Sequence, residues 1–463
     1  MSFNMDKMTE RLFYAFNPHW GNAFPSQEDY VPRDVMDEIL GYLGTDQIIS
    51  LLGPRRTGKT TILKRIIHHL LRNSVEPKNI FYFSFDEQMS TGPEDFEELI
   101  QYYFDTIGPN ESVATYVLFD EVQHIENWQV ILKRNYDLLH PKTKFFVTGS
   151  SSLWIKRKSS ESLAGRIFEF TVRPLNFVEF LRFDKIDLGK LEPPTSYKDV
   201  QRRYLKVRPQ ESKIVSSFNK YVVFGGFPEI VKEGWDIEHA RNYIRTSIVE
   251  RAVLRDLAQY YPIQNPKELL EILRILAWQS SSLMEINSLS ETLNLNRNTV
   301  SNYLSYLENA FLLIFSYNYT KSRVKQVRSS KKAFLTDSGI MTTLTHSDMG
   351  LFSHPDELGR VIETIVRNHF IIGSQELFHW RDSRKNEVDI IYWDGRTLFP
   401  IEVKSTDNIK TKDLAGIRLF MNKYNLERGI VTTRSVFKDL GDIWFIPNWF
   451  LLLFDNRLAE KLT

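Results

Sequence analysis

The chain has 463 residues, of which 42% are hydrophobic and 25% are charged, an ordinary globular balance with enough apolar material for about three domains. It contains no cysteine, which excludes a disulfide scaffold, a thiolate metal site and a cysteine nucleophile. The formal net charge is +1, so any binding to nucleic acid must rest on local basic patches.

The first residues and the longest apolar runs bear on where in the cell the protein is expected. The first residues lack the basic and apolar regions of a signal peptide, and runs such as AFLLIF and WFLLLF are far shorter than the ~20 residues of a membrane span. We therefore expect a cytoplasmic protein with no membrane-spanning segment.

A phosphate-binding loop is predicted in the first third of the chain. An apolar strand pattern at 48–52 is followed by GPRRTGKT and by a helical pattern. The loop fits G-x-x-x-x-G-K-[ST], in which backbone N–H groups and a helix N-terminus bind phosphates. Lys59 is expected to reach the β- and γ-phosphates of ATP, and the Thr60 hydroxyl to bind Mg²⁺. The predicted nucleotide-binding residues are Gly53, Pro54, Arg55, Arg56, Thr57, Gly58, Lys59, Thr60 and Thr61.

Acidic and polar residues further along the chain complete the predicted ATP site. The strand pattern YVLFDEVQ ends in Asp120, predicted to hold Mg²⁺ through water, and Glu121, predicted to polarise the attacking water. In TKFFVTGSSS, Ser150 or Thr148 is the candidate sensor of the γ-phosphate. Arg166 is predicted to be a charge-stabilising finger or sensor, with a surface arginine as the alternative.

Six motifs occur in a recognisable order: GPRRTGKTT, LFDEVQ, TGSSS, LAGR…RPLNFVEF, FGGFPEIV and SSKKAFLTDSGI. Together they resemble prokaryotic AAA+ superfamily ATPases in which an N-terminal ATPase domain is joined to a C-terminal domain of unknown function. The resemblance implies an ASCE-type parallel sheet with Walker A at 53–60 and Walker B at 116–121. It also implies ATP and Mg²⁺ as ligands, and we expect a homo-oligomer with ATP beside a neighbouring subunit.

A winged helix-turn-helix is predicted at 266–348, where three helical patterns precede a β-rich stretch. Polar side chains on its third helix are predicted to read base edges in DNA: Arg297, Asn298, Ser301 and Asn302. No acid occurs between Glu308 and Asp337, and the basic side chains of this stretch are predicted to bind phosphates: Lys321, Arg323, Lys325, Arg328, Lys331 and Lys332. The alternatives are a solvated basic hairpin and a winged helix that binds protein.

A β-hairpin with a two-residue Asp-Gly turn is predicted in EVDIIYWDGRTLFPIEVKS. In that register Asp389 lies opposite Pro400 and diagonal to Glu402, with Lys404 on the same face. The other face is apolar and includes Val388.

Glu363 borders the buried side of the helix predicted in ELGRVIETIVRNHFI. A helix acid, a strand aspartate and Glu-x-Lys on the next strand are similar to the PD-(D/E)XK nuclease core. This similarity implies that Glu363, Asp389 and Glu402 bind Mg²⁺ or Mn²⁺, and that Lys404 orients or deprotonates the attacking water. The alternatives are a fold that binds DNA or protein without cleavage, and a surface salt bridge between Lys404 and its acidic neighbours.

The predicted fold is α/β, in five segments: an N-terminal arm at 1–45, an AAA+ ATPase core at 46–180, a helical lid at 181–265, a winged helix at 266–348 and a PD-(D/E)XK nuclease-like domain at 349–463. The predicted function is an ATP-hydrolysing protein that acts on DNA, with cleavage left open. The alternative is a nucleotide-gated switch, of the signal-transduction ATPase type, whose C-terminal domain binds a protein partner.

Overall fold

The computed structural model describes residues 7–21, 30–85, 93–110, 112–150, 163–188, 194, 196–371 and 376–454. The chain divides into two units, Met1–Arg173 and Pro174–Thr463. The first unit therefore ends before residue 180, where the ATPase core is predicted to end.

A parallel sheet lies at the centre of the first unit. Its strands are β1 Ile48–Leu52, β2 Ile80–Ser84, β3 Thr115–Asp120, β4 Thr143–Gly149 and β5 Ile167–Thr171. The helices are α1 Lys7–Phe16, α2 Asp34–Gly41, α3 Lys59–Arg72, α4 Pro93–Tyr102 and α5 Trp128–Leu139. Shorter helical turns are Pro18–Gly21, Pro77–Asn79, Tyr103–Ile107 and Val122–His124. The five strands pair in parallel in the order β2-β3-β4-β1-β5, which confirms the predicted parallel α/β sheet.

The central strands of this sheet are buried along their whole length because both faces are covered. Every residue of β1 and of β4 is buried, as expected for a parallel sheet with helices on both sides. Helix α3 packs Ile62, Ile66 and Leu70 into the core beside the sheet, and these residues recur at helical spacing.

The predicted N-terminal arm is part of the core of the first unit. Phe13 on α1 is fully buried, and its ring packs 5.0 Å from the ring of Phe81. Asn17 donates to the backbone oxygen of Tyr82 (2.9 Å) and accepts from its N–H (2.8 Å). The Trp20 indole donates to Ile80 O at 2.9 Å. The arm thus covers strand β2 at the edge of the sheet and satisfies backbone groups that would otherwise be open.

The second unit is a larger α/β assembly. Its helices are α6 Phe177–Phe183, α7 Tyr197–Val207, α8 Glu211–Phe224, α9 Pro228–Glu233, α10 Ile237–Tyr243, the π-helix Ile244–Asp256, α11 Leu257–Tyr260, α12 Pro266–Trp278, α13 Ile286–Leu293, α14 Arg297–Asn309, α15 Arg323–Arg328, α16 Ser338–Thr345, α17 Pro355–His369, α18 Ala415–Tyr424 and α19 Asn448–Leu451. Short 3₁₀ turns are Arg208–Gln210, Met349–Ser353 and Thr411–Leu414. Its strands are β6 Leu283–Met284, β7 Leu313–Asn318, β8 Lys331–Leu335, β9 Glu376–Arg381, β10 Glu387–Trp393, β11 Leu398–Glu402, β12 Gly429–Thr433, β13 Lys438–Asp439 and β14 Ile443–Pro447.

These strands form one nine-stranded sheet in the order β13-β14-β12-β11-β10-β9-β7-β8-β6. The parallel pairing of β7 with β9, where Tyr317 lies opposite Phe378, joins the predicted winged helix to the predicted nuclease-like segment. One hydrophobic cluster, which reaches from Leu175 to Phe454, also includes side chains of the predicted lid. The predicted boundaries at 265 and 348 therefore do not separate independent cores.

A short helix lies in the connection between the antiparallel strands β7 and β8, where the basic wing is predicted. Helix α15 lies between β7 and β8, and its six residues begin after Ser322, whose hydroxyl accepts from Lys325 N at 3.4 Å. The buried Gln326 side chain donates to Thr320 O at 2.8 Å and ties α15 to the end of β7. Three basic residues of this stretch, Arg323, Lys325 and Arg328, thus lie on a helix.

The turn between β10 and β11 has four residues, which corrects the prediction of a two-residue Asp-Gly turn. Trp393 lies opposite Leu398, so residues 394–397 form the connection. The Asp394 carboxylate accepts from Arg396 N at 2.8 Å and Thr397 N at 2.6 Å. These side-chain bonds stabilise the longer turn, as aspartate does in Asx turns.

The longer turn moves the strand register by two residues. Pro400 lies opposite Ile391 and not opposite Asp389 as predicted; the same register, continued along the strands, brings Asp389 opposite Glu402. Directly opposite residues lie closer together than diagonal ones. A bulge in β10 between Val388 and Ile391 also places Val388 in a second core cluster, away from its predicted face.

No helix in the described part of the chain combines the length and the apolar character that crossing a membrane requires.

Candidate nucleotide-binding site and acidic cluster

Glycine is required at two positions of the loop between β1 and α3. Gly53 has φ +148°, and a Cβ there would lie 2.1 Å from Val172 O. Gly58, directly before α3, has φ +94°. Because side chains disfavour these conformations, only glycine lets the loop close against the neighbouring backbone and turn into the helix.

The Lys59 ammonium lies inside this loop. Its Nζ donates to Gly53 O at 3.1 Å and Pro54 O at 3.0 Å, and lies 3.9 Å from Glu121 Oε1. Burial alone would raise the pKa of Glu121, but the Lys59 charge and a hydrogen bond from Gln123 outweigh it and lower that pKa. Glu121 is therefore a carboxylate at neutral pH, the form that a proton acceptor or a water-orienting group needs.

The residues predicted to hold Mg²⁺ are in contact. Thr60 Oγ1 donates to Asp120 Oδ2 at 2.6 Å, so a hydroxyl and a carboxylate converge at the start of α3. Burial and the nearby Glu121 charge raise the pKa of Asp120. A divalent cation would relieve the cost of this buried carboxylate, so the residues present fit Mg²⁺. Bound there with ATP, Mg²⁺ would neutralise charge on the phosphates.

Thr148 contacts the Asp120–Glu121 pair directly. Its hydroxyl donates to Asp120 Oδ1 and accepts from Glu121 N at 2.8 Å. Ser150 lies one step further away, because it accepts at 3.2 Å from Gln123, which itself donates to Glu121 Oε2. Both candidate sensors therefore belong to one network, with Thr148 nearest to the metal-binding pair. Residues 151–152, the end of the motif TGSSS, lie outside the described residues.

Two residues of this site carry no motif signal. The Tyr82 hydroxyl on β2 donates to Asp120 Oδ2 at 3.0 Å. The buried Arg33, which precedes α2, donates to Thr57 O and to Arg173 O, each at 2.7 Å. Arg33 thus holds the loop from a segment that we predicted to be an arm.

An acidic cluster in the second unit contains two lysines, Lys332 and Lys404. Its four carboxylates belong to Glu363, Glu387, Asp389 and Glu402. Lys332 Nζ is 3.0 Å from Glu363 Oε1, 2.5 Å from Glu387 Oε1 and 3.9 Å from Asp389 Oδ1. The Lys332 side chain is only 4% exposed. The prediction that Lys332 binds DNA phosphates on the wing is therefore wrong, because β8 directs this side chain into the interior.

The predicted metal ligands Glu363, Asp389 and Glu402 are neighbours, but two lysines lie among them. Lys332 contacts the first two acids, and Lys404 contacts Glu402. Lys404 Nζ lies 2.6 Å from Glu402 Oε1, and Asp389 Oδ2 accepts from Val403 N at 2.8 Å. Burial raises the pKa of Glu363 to about 7 and that of Glu402 to about 8. Within the described ranges, no group of three or more histidine, aspartate or glutamate side chains has an arrangement that could hold a metal ion.

The surface predicted to bind DNA lies on two helices. The four polar residues predicted to read bases are all exposed on α14: Arg297, Asn298, Ser301 and Asn302. Four of the six predicted phosphate-binding residues are also exposed, on or beside α15: Lys321, Arg323, Lys325 and Arg328. Lys331 is partly buried, with its ammonium 4.7 Å from the centre of the Tyr317 ring.

Three family models match separate parts of the chain. An AAA domain model matches residues 45–181. We call this matched region, residues 45–181, the AAA domain. Two domains of unknown function, DUF8612 and DUF4143, match residues 215–350 and 358–450. The AAA domain supports ATP binding and hydrolysis and implies a nucleotide with Mg²⁺, whereas the other two matches assign no activity.

Similar proteins cover most of the chain at low identity. An uncharacterized protein of Haemophilus influenzae is 27% identical over 327 residues, which are 69% of this chain and 73% of that protein. An uncharacterized protein of Methanocaldococcus jannaschii is 26% identical over 430 residues, which are 90% and 84% of the two chains. The solved structure of C. elegans PCH-2 matches 36% of this chain and 49% of its own, with 18% identity and a TM-score of 0.24, too low to support a conclusion.

Arg166 lies at the far edge of the sheet of the AAA domain. Its backbone oxygen accepts from Ile48 N, at the start of β1, whereas the phosphate-binding loop follows the end of β1. Its side chain pairs with Asp137 at 2.9 Å. Arg166 therefore lies at the opposite end of β1 from the phosphate-binding loop of its own chain. Both predicted roles, the finger and the sensor, stay predictions.

Substitution of Thr148 separates the two sensor candidates of the AAA domain. A Thr148→Val variant keeps the shape but loses the hydrogen bonds to Asp120 and Glu121. Because two bonds of about 1 kcal/mol each are lost, we expect ATP hydrolysis to fall about 30-fold. Ser150→Ala, which acts only through Gln123, is expected to cost less. Phosphate release measured over a range of Mg²⁺ concentrations tests this, and a larger effect of Ser150→Ala would reverse the assignment.

Proposed function

We propose that this protein hydrolyses ATP in its AAA domain and acts on DNA through the second unit. The observation that carries the DNA part is the surface of α14 and α15. Both helices pack against β7, one with an exposed polar face and the other with exposed basic side chains at Lys321, Arg323, Lys325 and Arg328. Clustered basic side chains bind the phosphate backbone, whereas polar side chains on a helix read bases.

The order of elements supports a winged-helix interpretation of this region. Helix α12 is followed by β6, α13, α14, β7 and β8, and β6, β8 and β7 form antiparallel neighbours. Helix α14 takes the place of a recognition helix, and α15 takes the place of the wing. We propose that α14 enters the major groove while α15 contacts the adjacent backbone.

The ATP site belongs, in this proposal, to a homo-oligomer. In the AAA domain Arg166 faces away from the phosphate-binding loop of its own chain and pairs with the exposed Asp137. We propose that it serves the ATP of a neighbouring subunit, as a planar guanidinium suits a phosphate. ATP binding would then couple the assembly of subunits to the DNA-binding unit.

Metal-dependent cleavage by Glu363, Asp389, Glu402 and Lys404 is outside the proposal. These residues do not fit a divalent ion as they stand, because the Lys332 ammonium lies among the carboxylates. The order of elements nonetheless supports the nuclease-like interpretation of the fold. Helix α17 is followed by the antiparallel strands β9, β10 and β11, and then by helix α18 and strand β12. We therefore propose a nuclease-like module that binds DNA without cleaving it.

A protein-binding switch is the second candidate function. Val324 and Val327 on α15 are each 62% exposed and lie three residues apart, on the same side of the helix. Exposed apolar side chains grouped in this way favour a protein contact. In that case α15 would bind an acidic protein partner and ATP turnover would be indifferent to DNA.

The test measures DNA affinity against salt. Fluorescence anisotropy with duplex, forked and single-stranded DNA is expected to show binding at low salt, with an affinity that falls steeply as salt rises. The double variant Lys325→Ala and Arg328→Ala should reduce the logarithmic salt slope by about 2, roughly one per lost phosphate contact.

A matched control uses Lys438→Ala, because Lys438 is an exposed lysine on β13, at the far end of the same sheet. Its salt slope should equal that of the natural chain. Absence of binding to all three DNA forms at low salt, with ATP turnover unchanged by DNA, would refute DNA action and favour the switch.

A further inference from the structure

Lys332 is surrounded by carboxylates from two different elements. Glu363 lies on α17, whereas Glu387 and Asp389 lie on β10. All three place an oxygen within 3.9 Å of the Lys332 nitrogen. The Lys332 side chain starts from β8, which is separated from β10 in the sheet by β7 and β9. One buried ammonium therefore connects the winged-helix segment to the nuclease-like segment.

The residues around Lys332 suit its long reach. Ser316, which lies directly opposite Lys332 on β7, is fully buried and small. On β9 the buried His379 lies near the Ser316 hydroxyl, and burial together with the Lys332 charge lowers the pKa of His379 to about 3. His379 is therefore neutral and adds no second positive charge. Lys332 thus lies beside a small and a neutral side chain, Ser316 on β7 and His379 on β9. Arg381 at the end of β9 contacts Glu387 as well, at 3.6 Å.

We infer that the Lys332 ammonium is the resident cation of this cluster, so that the acids form a buried ion network joining β8, α17 and β10 and not a divalent-metal site. Mg²⁺ and Mn²⁺ need several oxygens at about 2.0–2.2 Å. An ion at that distance from the same carboxylates would lie against the ammonium and be repelled by it. The geometry thus disagrees with the metal role that the sequence similarity implies.

Loss of Lys332 removes the ammonium that neutralises the largely buried Glu363, and breaking a buried ion pair in this way is strongly destabilising. Lys332→Met keeps a side chain of similar length without the charge. In EDTA and without nucleotide or DNA, this variant should melt several degrees below the natural chain, and millimolar Mn²⁺ should recover at least half of the loss by replacing the missing charge. The natural chain should show no comparable Mn²⁺ effect.

Lys331→Met is the matched control, because Lys331 is the adjacent residue of β8 and its ammonium lies over the Tyr317 ring, away from the acids. It should show neither the loss nor the Mn²⁺ recovery. Any weak Mn²⁺ binding in the AAA domain is common to all variants and cancels in the comparison.

Isothermal titration calorimetry with Mn²⁺ gives a second readout. We expect Lys332→Met to bind Mn²⁺ at least tenfold more tightly than the natural chain, and expect Glu363→Gln added to that variant to remove the gain. If Lys332→Met does not fold, the pair Lys332→Met and Glu387→Gln should restore folding by removing one excess charge.

Three outcomes would overturn the inference: equal Mn²⁺ affinity in the natural chain and Lys332→Met, equal melting of the two in EDTA, or no recovery of folding by the charge-reduced pair. None of these measurements contains DNA. Their outcome is therefore independent of whether the protein acts on DNA.

Discussion

A Glu121→Gln variant is expected to bind ATP with Mg²⁺ as well as the natural chain does, but to hydrolyse it about 100-fold to 1,000-fold more slowly. Glutamine keeps the size of the side chain but cannot accept a proton from water. Lys59 and Gln123 hold Glu121 as a carboxylate, so the substitution removes the charged form that the site is built to keep. Steady-state phosphate release, together with the affinity for a fluorescent ATP analogue, measures the two effects separately.

Lys59→Ala should lower both nucleotide affinity and the rate of hydrolysis, because this variant loses the ammonium that lies in the phosphate-binding loop. The matched control is Lys64→Ala, since Lys64 is an exposed lysine on the same helix, and it should behave as the natural chain does. If Glu121→Gln hydrolyses ATP as fast as the natural chain, another group orients the attacking water. Gln123 and Thr148 would then be the next candidates.

The ATP site could be predicted because its chemistry is local. Eight consecutive residues build the phosphate-binding loop, and the strand that carries Asp120 and Glu121 ends in a short motif. Arg33 and Tyr82 could not be found in this way, because each contributes one contact from a segment with no pattern of its own. Their roles depend on how the arm and β2 pack, which no local spacing encodes.

The acidic cluster shows a different limit of sequence reasoning. The sequence predicts the acids Glu363, Asp389 and Glu402 as one group, but it predicts Lys332 to be a phosphate-binding residue of the wing because Lys332 ends a basic run. Alternation of polar and apolar residues along β8 does not predict that Lys332 is buried. Four of the five residues of this strand are buried, because both of its faces are covered. The nine-stranded sheet that encloses Lys332 depends on the pairing of β7 with β9, which links segments far apart in the sequence.

Two motifs that carried the family resemblance turn out to contact each other. Asp337, in LTDSGI, accepts from Gly226 N, in FGGFPEIV, at 2.8 Å, and also caps α16 by accepting from Gly339 N at 2.8 Å and Ile340 N at 3.2 Å. A Cβ on Gly225 would lie 2.1 Å from Asp337 Oδ1. The glycines of one motif therefore make room for the aspartate of the other, a packing reason for both.

Asp337→Ala is expected to destabilise the second unit by about 3 kcal/mol or more, because three buried N–H groups would lose their acceptor. Urea unfolding followed by tryptophan fluorescence measures the loss. Asp236→Ala is the matched control, since Asp236 caps α10 through His239 N at 2.9 Å but is exposed, and it should cost only about 1 kcal/mol. Equal costs for the two variants would show that Asp337 is an ordinary cap.

Asp337 should also make stability depend on pH in a definite direction. Burial raises the pKa of Asp337 from 3.8 to about 6, so the folded chain binds more protons than the unfolded chain between these values. Its contribution to stability is therefore largest below pH 4 and is lost as the pH rises through 6. Relative to Asp337→Asn, which cannot ionise, the natural chain should lose about 1 kcal/mol of unfolding free energy between pH 5 and pH 7. A gain over that interval, or no change, would mean that the three N–H donors keep the carboxylate ionised at pH 5 despite its burial.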